Sequence, residues 1–134
     1  MSFVANILIV DDDVGMLAWL GEILEDTRHQ ILTAQDGLEA QSLLNGHAVD
    51  LVITGVYMPN GEGLGLIRNT RKYRPEVAII AISGGDPEVL LDAKRLGAHA
   101  ALRKPITAKA LTQCVYELLS TNPRSSLEDL DFWQ

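Results

Sequence analysis

Three consecutive carboxylates, Asp11, Asp12 and Asp13, follow directly on four aliphatic residues, Ile7-Leu8-Ile9-Val10. Adjacent carboxylates repel one another, so the trio is tolerable only where water, a cation or a neighbouring Lys or Arg offsets the repulsion. A pair of carboxylates suits a hard cation such as Mg2+, which takes oxygen ligands and keeps several waters. Much further along the chain, Ser83 and Lys104 offer a hydroxyl and an ammonium, groups suited to the oxygens of a phosphoryl group. The chemistry these residue types imply is phosphoryl transfer with a metal. Taken singly, each has a plainer reading: the acids cap a helix, Ser83 lies in a turn, and Lys104 is a surface charge. Only a fold that brings them to one edge sets those readings aside.

The elements between them are arranged to do so. Ile7-Leu8-Ile9-Val10 is apolar without alternation, the habit of a parallel strand buried on both faces, and it places the acids at its carboxyl end. Leu17, Leu20, Ile23 and Leu24, with Trp19 nearby, predict a helix over 14 to about 27, capped by Asp12 or Asp13. A second strand is expected over 31–34, and Asp36-Gly37 then turns the chain into a helix carrying Leu38, Leu43 and Leu44, stopped by Asn45-Gly46. A third strand over 49–54 delivers Gly55 to the edge that holds Asp11 and Asp12. A Pro59- and Gly61-containing loop leads to a helix over about 62–72, with Leu64, Leu66 and Ile67 apolar and Pro75 beyond its end. The fourth strand, 77–82, ends in Ser83-Gly84-Gly85, and Asp86-Pro87-Glu88 opens a helix that runs to Gly97. A weaker fifth strand, 98–102, ends in Arg103-Lys104-Pro105. Thr107 caps a last helix with Leu111, Val115, Leu118 and Leu119 on one face. Five strand-helix alternations with short loops imply right-handed crossovers and an α/β fold whose parallel sheet is covered on both faces. Ligands bind such sheets at the strands' carboxyl ends.

Composition narrows the functional classes. At 134 residues the chain reads as one domain over 1–120, followed by a Pro- and Ser-containing linker and an acidic, aromatic tail over 121–134. Docking of that tail, with Leu127, Leu130, Phe132 and Trp133, on this domain or on a second copy is expected. The net charge of −7 disfavours a direct nucleic-acid partner, since such binding rests on phosphate neutralisation. Arg71-Lys72-Tyr73-Arg74 reads as the solvated end of a helix, where cations are favoured. A single Cys114 excludes an intramolecular disulfide and, with no signal-like start, suggests a cytoplasmic setting. No apolar run reaches the roughly 18 residues of a membrane span.

Ile7 to Asp13, Asp50-Leu51-Val52-Ile53-Thr54, Met58-Pro59 with Gly63 after it, Ser83, Leu96-Gly97-Ala98 and Lys104-Pro105 together resemble the receiver domain of two-component response regulators. The resemblance spans about residues 7 to 119. It implies a flavodoxin-like (βα)5 doubly wound parallel sheet in the order 2-1-3-4-5, a site between the first and third strands, and a cis peptide before Pro105. It also implies that Asp11, Asp12 and the backbone carbonyl of Tyr57 hold Mg2+, that Ser83 is the switch hydroxyl, and that Lys104 contacts the phosphoryl group. Its partners would be a sensor histidine kinase or other signalling proteins. Arg95, His99, Arg103 and Lys109 would belong to an output face formed by the fourth helix, fifth strand and last helix, a surface for homodimerisation or for the acidic tail. No output domain follows in this sequence, so a stand-alone, non-enzymatic module is expected.

Two positions depart from the family. Its phosphoacceptor aspartate falls at position 55, which is Gly55, and its switch aromatic falls at Ala101. Glycine offers no nucleophile, so the expectation is a degenerate receiver acting through protein contacts, with Mg2+ bound weakly or not at all and Lys104 turned toward Asp11 or Asp12. Thr54, grouped with Ser83 and Lys104 in the phosphoryl pocket, is the nearest alternative acceptor along with Ser83 and Asp13. Asp13 is expected to point away from the acid pair. A working receiver in which Gly55 is a variant or engineered residue is one alternative. Another is a haloacid-dehalogenase-like phosphatase, with Asp11 as nucleophile and Asp13 as general acid. A flavodoxin would need a hydroxyl-rich loop for the FMN phosphate where this chain has three acids.

Overall fold

The computed structural model of the protein describes residues 3–58 and 63–122. Five strands alternate with five helices: β1 (Asn6–Val10), α1 (Val14–Glu25), β2 (Gln30–Ala34), α2 (Gly37–Gly46), β3 (Leu51–Gly55), α3 (Gly63–Tyr73), β4 (Ala78–Ser83), α4 (Pro87–Leu96), β5 (Ala100–Arg103) and α5 (Ala108–Ser120). All pairings are parallel and the order is β2-β1-β3-β4-β5, the flavodoxin-like arrangement expected. From β1 the chain moves outward to β2 and from β3 outward the other way to β4, which opens a crevice at the carboxyl ends of β1 and β3.

Strand alternation divides the core. Ile7, Ile9, Leu51, Ile53, Ile80 and Ile82 pack with Leu17, Leu20 and Leu24 of α1 and with Leu111, Val115 and Leu119 of α5. On the other face, Leu8, Val10 and Val52 meet Ala40 and Leu44 of α2 and Leu66 of α3, while Ile79 and Ala81 meet Val89 and Ala93 of α4. Ile7 through Val10 are thus buried on both faces of the sheet, as their lack of alternation predicts. Each such side chain contributes about 1.5–3 kcal/mol on leaving water.

Local chemistry sets the helix ends. Asp13 is the cap of α1: its Oδ1 accepts from the Gly15 and Met16 N–H groups at 2.9 and 3.4 Å. The helix closes at Glu25, short of the expected 27, because Thr27 N–H bonds back to the Leu24 carbonyl and Arg28 takes φ 65. Asp36, Asp86 and Thr107 cap α2, α4 and α5 through their side-chain oxygens. Leu38 does not join the apolar stripe of α2; it is 67% exposed in the first turn, and Ala40 and Leu44 carry the packing instead. The fifth strand starts at Ala100 rather than 98, because Ala98 N–H closes α4 by bonding to the Ala93 carbonyl. Lys104-Pro105 is cis, as the resemblance implies. Among the described residues no helix is long and apolar enough to cross a membrane. The expected loop positions Pro59 and Gly61, and the tail after Asn122, lie outside the described residues.

Candidate functional site

β1, β3, β4 and the turn after β5 converge on a cleft of about 150 Å³ lined by Asp11, Asp12, Gly55, Tyr57, Ser83, Gly85 and Lys104, among others. The parallel register makes this so: Val10 lies beside Thr54, Gly55 beside Ile82, and Ser83 beside Arg103, so successive strand ends deliver successive groups. The Lys104 N–H also bonds to the Ser83 carbonyl at 3.0 Å, which ties the last strand end to its neighbour.

Asp11 is the most enclosed of the acids, 3% exposed. Its Oδ1 accepts the Asp13 N–H at 2.9 Å, and its Oδ2 faces Lys104 Nζ at 3.6 Å. Burial pushes its carboxyl above the ordinary aspartate value, and the Asp13 N–H and the Lys104 charge pull the other way without cancelling it. Lys104 has therefore turned to Asp11, one of the two partners expected. Asp12 is exposed at the rim. Ser83 is buried, and its Oγ accepts the Gly85 N–H at 3.2 Å.

Gly55 closes the floor of the cleft. A Cβ at this position would lie 3.1 Å from Asp11 Oδ2 and 3.5 Å from Asp11 Cγ. The Asp11 carboxylate thus stands against the space a side chain at 55 would enter. Gly63 presses on the same backbone from outside: its N–H donates to the Val56 carbonyl at 2.8 Å, and a Cβ there would fall 2.6 Å from Val56 Cα. Sequence reading marked Gly63 only as part of a motif; its tight packing under the strand end is a tertiary fact. The Tyr57 ring was missed as well. It is exposed at the rim, its Cε2 3.4 Å from where a Gly85 Cβ would stand.

One expectation needs correction. Thr54 is not in the phosphoryl pocket. It is fully buried on the opposite strand face, and its hydroxyl donates to the Gly55 carbonyl at 2.7 Å. The four cations assigned to an output face lie on or directly beside α4, β5 and α5. Arg95 pairs with Asp92 on α4 at 3.1 Å, and Arg103 lies at the carboxyl end of β5. His99 lies before the amino end of β5, where its Nδ1 accepts the Ile79 N–H at 3.0 Å. Lys109 lines a groove between α1 and α5 with Trp19 and Thr27. Ala101, the switch position, is half-buried on β5 beside Ala81. Asp13 points into its helix cap, away from the acid pair. That removes the general acid a phosphatase would need, and the phosphatase reading finds no support in the relatives below.

A family model described as the response regulator receiver domain matches residues 7–116. The chain is 33% identical over 117 residues to the transcriptional regulatory protein GlrR of Escherichia coli, covering 86% of this chain and 26% of that protein, so it spans about a quarter of that relative's length. It is 25% identical to the sporulation initiation phosphotransferase F of Bacillus subtilis, over 85% of this chain and 93% of that one. Among solved structures, the receiver domain of NtrX from Brucella abortus superposes with a TM-score of 0.82 at 33% identity, covering 86% of this chain and 98% of the other. Fold, strand order and family match agree, and the chain belongs to the response regulator receiver domains of two-component signalling.

Proposed function

We propose that this receiver has lost phosphoryl transfer at position 55 and signals by binding other proteins, a sensor histidine kinase among the candidates. One observation carries the reading: Gly55 stands at the cleft floor, at the position where the family's acceptor carboxylate falls. The family's reaction is attack by that carboxylate on a kinase phosphohistidine, and glycine has nothing to attack with. The neighbouring candidates already make hydrogen bonds of their own. The Thr54 hydroxyl donates to a carbonyl, Asp13 caps α1, and Ser83 Oγ accepts the Gly85 N–H. Ala101 has no ring to rotate, so an aromatic readout is also missing.

Receiver domains typically bind Mg2+ at this site, where the ion offsets the charge of the acids and of the phosphoryl oxygens. The donors here suit it in part: Asp11, Asp12 and the Tyr57 carbonyl would hold it. One Asp11 oxygen accepts a backbone N–H, the other faces Lys104, and no carboxylate comes from position 55. Weak Mg2+ binding follows.

The test is incubation with acetyl phosphate or phosphoramidate and Mg2+, read by intact mass on this protein and on Gly55→Asp. A phosphoryl group on Gly55→Asp alone supports the reading. A phosphoryl group on both overturns it.

A further inference from the structure

Arg68, Arg71, Lys72, Arg74, Lys94 and Arg95 are six of the chain's eleven basic residues, in a protein of net charge −7. They lie on α3 and α4 or directly after α3, and the two helices run side by side. Gly97, at the end of α4 with φ 129, sits so close on the Arg71 stem that a Cβ there would overlap it. His99, just ahead of β5, feels the Arg71 charge. Arg74 pairs with Glu76 and Arg95 with Asp92, whereas Arg68, Arg71, Lys72 and Lys94 are exposed and form no ion pair among the described residues. The helix dipole favours cations at any helix carboxyl end. Yet α1, α2 and α5 carry no basic residue in their last turns, so the dipole alone does not explain the concentration on α3 and α4.

The chain leaves its described part near this platform. Asn122 Nδ2 donates to Asp50 Oδ1 at 3.3 Å, and the Asp50 carbonyl accepts the N–H of Ala78, which follows the end of α3 by five residues. Beyond Asn122 comes Leu127-Glu128-Asp129-Leu130-Asp131, with three carboxylates in five residues. An extended chain covers about 3.3–3.6 Å per residue, so Leu127 can lie up to ~18 Å from Asn122 and Asp131 up to ~32 Å.

We propose that the acidic segment 127–131 of this chain docks on the basic carboxyl halves of α3 and α4, with its carboxylates facing Arg68, Arg71, Lys72 and Lys94. Individually such exposed pairs are weak. Four cations against three acids on one tether, at an effective concentration on the order of millimolar, make a specific contact. The exposed Tyr73 ring, beside Lys72, offers apolar surface for the leucines of the segment. Docking would cover this positive patch and exclude acidic partners from it. The inference does not depend on position 55.

The chain has four lysines, Lys72, Lys94, Lys104 and Lys109, each at a different place in the fold. Zero-length carbodiimide coupling of the full chain, mapped by mass spectrometry, therefore reports where the segment lies. The expected products are links within one monomer from Lys72 or Lys94 to Glu128, Asp129 or Asp131. Their yield should fall about threefold or more between 0.1 and 1 M salt, as the Debye length shrinks from about 10 to about 3 Å. The exposed Arg68→Glu should lower it similarly with the fold intact by circular dichroism. Links only to Lys109 or Lys104, links only between two copies, no links, or a yield indifferent to salt and to Arg68→Glu overturn the proposal.

Discussion

At the scale of the residue, Gly55 and the Asp11 carboxylate divide one small space. A Cβ at 55 meets Asp11 Oδ2 at 3.1 Å, and the rest of an aspartate would add a second negative group beside a buried one. Gly55→Asp should therefore be less stable than the parent without metal, by about 1–3 kcal/mol, and should recover the difference as Mg2+ binds. Urea titrations with and without Mg2+ check both halves; an unchanged midpoint in the absence of metal counts against the crowding argument. Asp11 itself opposes folding when ionised. Because burial raises its folded-state pKa above the unfolded value, its favourable contribution is complete only below the unfolded value and is lost as pH rises through the folded one. Above the folded value that contribution is gone, so Asp11→Asn, which can still accept the Asp13 N–H, should raise the urea midpoint there. A lowered midpoint would mean that the Lys104 pair outweighs the burial.

At the scale of the element, exposure separates two leucines of one helix. Leu44 is 1% exposed within the α2-facing core, and Leu38, six residues earlier, is 67% exposed. Leu44→Ala should cost about 2–5 kcal/mol and Leu38→Ala less than about 0.5 kcal/mol in chemical denaturation. Equal losses would mean that α2 is turned about its axis. The junction between β3 and α3 is the more demanding one, because Gly63 has backbone where any side chain would begin. Gly63→Ala should cost about 1–3 kcal/mol, and its amide shifts should spread to Gly55 and Val56, the residues it would push. A perturbation confined to α3 would contradict that coupling.

At the scale of the whole molecule, two histidines hold the amino edge of the sheet. His29 Nδ1 accepts the Ala5 N–H at 2.9 Å ahead of β1, and His99 Nδ1 accepts the Ile79 N–H at 3.0 Å in β4. An accepting Nδ1 requires the unprotonated atom, and burial foremost, with Arg28 near His29 and Arg71 near His99, lowers both pKa values. The unfolded chain then binds more protons in the histidine range. Stability is complete above the unfolded value of about 6.5 and is lost as pH falls through the folded values. Denaturation midpoints should drop between pH 7 and pH 5, and the paired change His29→Asn and His99→Asn should flatten that slope. A slope unaffected by the pair would assign it to other groups.

Much of this was legible from the chain alone, for reasons of short range. Runs such as Ile7 to Val10, caps such as Asp13, Asp86 and Thr107, and stops such as Gly97 act through neighbours a few residues away, so element order and the shared edge of Asp11, Gly55, Ser83 and Lys104 could be read before any coordinates, while the strand order came from the resemblance to the receiver family. What the chain could not reveal depends on contacts between distant segments. The side of β3 on which Thr54 points, the choice of Asp11 over Asp12 by Lys104, and the gathering of cations on α3 and α4 all follow from how helices are rotated and paired across the sheet. A helix is specified by its periodic apolar face. The direction of each polar group on it is settled only when that face meets its partner.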